Sequence, residues 1–172
     1  MKDYLIILKV TLIGLFVAAF AYPVVHEAGH ILATVITGGK FVSLAWAPVP
    51  NVLCEMNTEN TAALAITSLA GIVFPMFMVL PFIKAKGNLR FSVLIFNAII
   101  IWSTIIGLAV AVMQMNDCII PNDDLTAFME YTGWIIPTIF IMLSLTGIAF
   151  FLLYLLKPKE TIMSVMGMRL PK

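Results

Sequence analysis

The chain has 172 residues, of which 62% are hydrophobic and only 11% are charged. A soluble domain is nearer half apolar and a quarter charged, so this composition excludes an ordinary water-soluble globule; it points to the bilayer, with room for about four spanning helices in a single domain. The net charge of +1, with no basic run and no interleaved aromatic stripe, gives no reason to expect a nucleic-acid partner.

The first apolar segment runs over residues 4–37 and meets a plausible helix stop at Gly38-Gly39. Fully helical, it would be about 50 Å long, more than one bilayer crossing needs. Pro23 should kink or break it, dividing a spanning stretch over 4–22 from a shorter helix over 24–37. Ala19-Phe20-Ala21, after Lys2 and an apolar run, mimics a signal-peptide cleavage site. The apolar stretch continues well past it, and cleavage would strand the next motif at a new N-terminus. The segment is therefore expected to be retained.

That motif is His26-Glu27-Ala28-Gly29-His30, which holds both histidines of the chain. On a helix, positions i and i+4 share a face, so both imidazoles can reach one metal ion with Glu27 beside it. Two neutral imidazoles and a carboxylate that can take a proton from water form the H-E-x-x-H arrangement of zinc hydrolases. Charge and imidazole inside an apolar helix are costly and seldom idle.

Beyond the glycines, 41–46 and 51–56 are β-prone, with Pro48 and Pro50 between them, and read as a small hairpin. Three further apolar runs follow, over about 62–83, 91–113 and 132–156, each long enough to cross a bilayer. Gly71, Pro75, Asn97, Gly107, Pro137 and Gly147 interrupt them, as residues that let membrane helices approach closely commonly do. The fold class expected is an all-α integral membrane protein of about four transmembrane helices, with a small β-hairpin after the first.

Lys84, Lys86 and Arg90 join the second and third runs without an acid, and the tail carries Lys157, Lys159, Arg169 and Lys172 against Glu160 alone. The other two connections hold Glu55, Glu59, Asp117, Asp123, Asp124 and Glu130, with Lys40 the only base. By the positive-inside rule both termini are expected in the cytoplasm, with the hairpin and the acidic connection on the far side.

A catalytic zinc takes three protein ligands and leaves a position for water. With no third histidine the candidates are carboxylates, and only those at the outer end of the motif helix can reach it. Asp123 and Asp124, in Pro121-Asn122-Asp123-Asp124-Leu125, open the last apolar stretch from that side. One of them is expected to bind metal. The other can be an ordinary N-cap, and the sequence does not rank the two. Asp117, Glu55 and Glu59 lie on the same side in looser connections.

A membrane-embedded H-E-x-x-H, then a strand-like segment, then a distant aspartate near a later helix start, resembles the site-2 protease family of intramembrane zinc metalloproteases. The resemblance covers roughly 24–56, 68–71 and 121–125. It implies that His26, His30 and Asp123 or Asp124 bind Zn2+, that Glu27 activates water, and that the substrate is a membrane protein or peptide. Ser68-Leu69-Ala70-Gly71 is similar to a small-residue turn of the family, but Ile72-Val73-Phe74-Pro75 follows, without the family's asparagine. The aspartates lack the family's preceding leucine and following glycine. Many members also keep the active site nearer the cytoplasmic face, whereas the charges here put it outside. The expectation is a divergent, minimal relative without an extra regulatory domain.

A transmembrane substrate hides its peptide bonds in helical hydrogen bonds, so it must unwind before attack, and the hairpin can hold it by strand addition. Asn97, Asn116 and Asn122 could donate to the oxyanion, but each reads first as a hydrogen-bonded helix or cap residue. Two other functions fit the composition: a non-catalytic metal-binding membrane protein that binds partners in the bilayer, and a small ion carrier. Glu27 favours the protease, because neither alternative needs it beside the histidines. Cys54 and Cys118 fall in the two non-cytoplasmic connections. They are either unpaired thiols or a disulfide closing a loop of about 64 residues, worth on the order of 4 kcal/mol.

Overall fold

The computed structural model describes residues 2–46, 50–57, 59–121 and 123–168. The first apolar segment is one continuous helical rod. It comprises α1 (Lys2–Phe16), a π-helical turn (Val17–Ala21) and α2 (Tyr22–Ile36). The break expected at Pro23 is absent. Pro23 has no N–H and its ring crowds the carbonyl four residues back, and the wider π turn just before it accommodates both defects, with the Tyr22 N–H bonding to Val17 O. α2 ends where Gly38 takes φ +88°, a left-handed conformation that a glycine adopts without strain.

The hairpin is present as β1 (Lys40–Ala45) and β2 (Asn51–Glu55), paired antiparallel with an irregularity between Phe41 and Ser43. Pro48 of its connection lies outside the described residues. Next come α3 (Thr61–Val79), capped by the Asn60 side chain on Ala63 N–H and ending in a 3-10 turn, and α4 (Gly87–Gln114). Contrary to the expectation from the sequence, the aspartate segment does not open the last long helix. It starts a separate short helix, α5 (Asp124–Thr132), which Gly133 closes at φ +69°. α6 (Ile135–Leu155) then precedes a short amphipathic α7 (Pro158–Val165), which was not anticipated.

Four helical segments, Tyr4–Ile36, Thr61–Phe82, Gly87–Gln114 and Ile135–Leu155, are long and apolar enough to cross a membrane. Large apolar side chains such as Leu5, Trp102, Phe140 and Phe151 stand exposed on them. In water, patches of this kind are an aggregation liability.

Two buried clusters organise the interior. One joins α4, α6 and α7 around Ile100, Leu152, Leu156 and Val165. Buried Asn97 donates to Ala149 O at 3.0 Å across α4 and α6, and Arg90 Nε donates to Leu156 O at 3.1 Å at the end of α6. The other lies beneath α5, whose Leu125, Phe128 and Met129 are buried with Val110, Ala111 and Met142. This apolar anchor fixes the start of α5, and so the position of Asp124.

Candidate metal centre

His26 and His30 lie one turn apart on α2, and the N-terminus of α5 brings Asp124 against both. Asp124 Oδ2 is 3.1 Å from His26 Nε2 and 3.2 Å from His30 Nε2, and the two Nε2 atoms are 3.2 Å apart. Among the described residues this is the one group of three such side chains whose donor atoms converge closely enough to hold a metal ion. Glu55, Glu59, Asp117 and Glu130 are not part of it.

The triangle can be tested against zinc on its own geometry. A tetrahedron with bonds of about 2.0–2.1 Å has edges of about 3.3–3.4 Å. The observed edges are nearly equal and slightly shorter. His30 Nδ1 lies 2.8 Å from Thr67 O. A carbonyl only accepts, so Nδ1 carries the proton and the neutral ring directs the lone pair of Nε2 into the triangle. With both imidazoles neutral, at most one proton, on His26 Nε2, is shared among three electron-rich atoms. A cation satisfies that set, and two nitrogens with one carboxylate oxygen suit zinc.

The fold makes room for these rings through glycine. A Cβ on Gly71 of α3 would lie 2.5 Å from His30 Nε2 and 2.6 Å from His26 Cε1; on Gly29 it would lie 2.5 Å from Ala70 O. Neither position has space for a methyl group, so α2 and α3 can pack with the imidazoles between them only because both are glycine.

The two aspartates divide their roles. Asp123 Oδ1 accepts from the N–H groups of Leu125 and Thr126 at 3.0 and 3.1 Å, which makes it the N-cap of α5. Asp124 faces the histidines.

Glu27 lines the same cavity of about 440 Å³, together with Asn51, Thr67 and Ser68. Its Oε2 accepts the backbone N–H of Val52 at 3.1 Å, so β2 sets the orientation of the carboxylate. Sequence reasoning missed this tie and the Thr67 contact, because both partners are backbone groups that any residue type supplies. It also missed Tyr22, one turn before His26, whose hydroxyl lies 2.6 Å from Ser103 Oγ. The i−4 spacing on the motif face was an available signal.

No family model, curated protein or solved structure matches the chain.

The remaining candidates lie elsewhere. Asn97 is committed to Ala149, Asn116 Nδ2 donates to Val112 O within its own helix end, and Asn122 falls outside the described residues. Cys54 and Cys118 are free thiols; Cys54 is half-buried beside the cavity and Cys118 is exposed.

Proposed function

We propose that the chain is a zinc-dependent intramembrane endopeptidase of the site-2 protease kind, with both termini in the cytoplasm. The observation that carries this reading is the near-equilateral triangle of His26 Nε2, His30 Nε2 and Asp124 Oδ2, with Glu27 in the same cavity. The four apolar helices support the bilayer setting. A zinc ion held by the three side chains supplies Lewis acidity toward a peptide carbonyl and toward water.

The chain's own residues perform the rest. Glu27 takes a proton from the attacking water and returns it to the departing amine. Its hydrogen bond to Val52 keeps the carboxylate beside the donor set rather than free to rotate. Because the Val52 N–H points to Glu27, it points away from β1. By the period of two along a strand, Cys54 presents its N–H on the same outer edge. The Val52 N–H is taken by Glu27, so an extended substrate backbone would add to this edge at Cys54, which holds the unwound segment next to the base.

The test is hydrolysis of a reporter transmembrane peptide by zinc-loaded protein and by Glu27→Gln. The amide keeps the size and an acceptor for Val52 but cannot take up the proton. Zinc content is expected to persist while turnover falls by about 100-fold or more. Turnover near the unmodified level would remove Glu27 as the base. No hydrolysis by any zinc-loaded preparation would favour a non-catalytic metal protein or a carrier.

A further inference from the structure

His26, Glu27 and Asp124 line not one cavity but two. The first, of about 440 Å³, opens along β2 and carries the polar groups of Asn51, Thr67 and Ser68. The second, of about 370 Å³, lies toward the other end of α2, between Tyr22 and the α4 residues Ser103 and Ile106, with Ile72 and Leu125 in its walls. Two of the three metal ligands and the base therefore sit in the partition between a polar groove and a more apolar chamber, with His30 on the groove side alone. A polypeptide reacting at that partition has its two sides in unlike surroundings.

We propose that the second cavity is a specificity pocket, taking a bulky apolar side chain of the substrate next to the bond cleaved. This inference rests on the peptidase reading above. The pocket volume is in the range of sites that enclose small ligands. Its two hydroxyls, Tyr22 and Ser103, are hydrogen-bonded to each other at 2.6 Å, which lowers their demand for a polar guest. No lysine or arginine lines it among the described residues, and Glu27 and Asp124 repel an acidic guest. Asp123 also lines it, but caps α5 through Oδ1. The burial of apolar surface is then the main discriminating force, and it favours phenylalanine- or leucine-sized side chains over small ones.

The test is binding, so that it does not depend on turnover. Hydroxamates bearing a methyl, a benzyl or an aminobutyl side chain are titrated calorimetrically into the zinc-loaded full chain in detergent. The benzyl compound is expected to bind about tenfold or more tighter than the methyl compound. The pocket is then filled from two positions, Ser103→Phe and Ile106→Trp, with zinc content confirming the fold of each. Gly107 is not used, because a Cβ there would meet Met142 Sδ at 3.0 Å rather than the cavity. The benzyl-to-methyl ratio is expected to collapse toward one in at least one filled variant that retains zinc. Equal methyl and benzyl affinities, a preference for aminobutyl, or a ratio surviving in both filled variants would overturn the pocket while leaving the metal centre standing. If none of the three compounds binds the zinc-loaded chain, the peptidase reading fails and the pocket falls with it, while the zinc content still stands for the metal centre.

Discussion

Gly71 of α3 stands so close to His30 of α2 that a Cβ on it would lie 2.5 Å from the imidazole Nε2. The absence of a side chain on one helix is thus part of the shape of a ligand set on another. Gly71→Ala gives this a sharp test, because in a helix interior alanine is favoured over glycine by about 1 kcal/mol. If Gly71 served packing of the backbone alone in open space, the variant would be neutral or more stable. The structure predicts instead that zinc binding weakens by about tenfold or more as the rings are pushed apart, comparable to losing a partner that orients a ligand. Zinc titration of the purified variant, with thermal unfolding alongside, reads both quantities.

Asp123 and Asp124 are adjacent and chemically identical, yet they should behave differently. Asp124→Ala removes a donor atom and is expected to weaken zinc by more than the ~10–100-fold that losing an outer hydrogen-bond partner costs. Asp123→Ala removes the cap of α5 and is expected to cost about 1 kcal/mol of stability while zinc stays bound. Metal content and denaturant unfolding of the two variants decide the assignment. The reverse pattern would transfer the ligand role to Asp123.

Much of this architecture is written in local patterns. The four long helices follow from uninterrupted apolar runs, and the hairpin from β-prone stretches flanking two prolines. The i, i+4 histidines needed only a helix to converge. What was not legible has a common physical cause. Asp123 and Asp124 differ by one residue step, and a step at the start of a helix decides whether a carboxylate turns back onto the N–H groups or outward. That depends on the burial of Leu125, Phe128 and Met129 beneath α5. The Thr67 carbonyl and the Val52 N–H carry no side-chain signature at all. The π turn arises from Pro23 acting on residues before it, where local propensity shows nothing unusual. α7 is short and amphipathic, and its place depends on docking against α4.

The proposed orientation is testable apart from the metal. In a background without Cys54 and Cys118, a cysteine at position 86 should react with an impermeant maleimide only from the cytoplasmic side, and one at position 59 only from the opposite side. Labelling of intact cells and of inverted vesicles gives the two readings. The opposite pattern would reverse the topology inferred from Lys84, Lys86 and the tail lysines.

The donor triangle itself is most directly tested by counting metal. Purified chain loaded with zinc and dialysed should retain one zinc per chain by elemental analysis. His26→Ala and His30→Ala, each with its helical content intact, should retain almost none under the same dialysis. Full zinc occupancy in both histidine variants would contradict the account, because the metal would then be held by some other set of atoms.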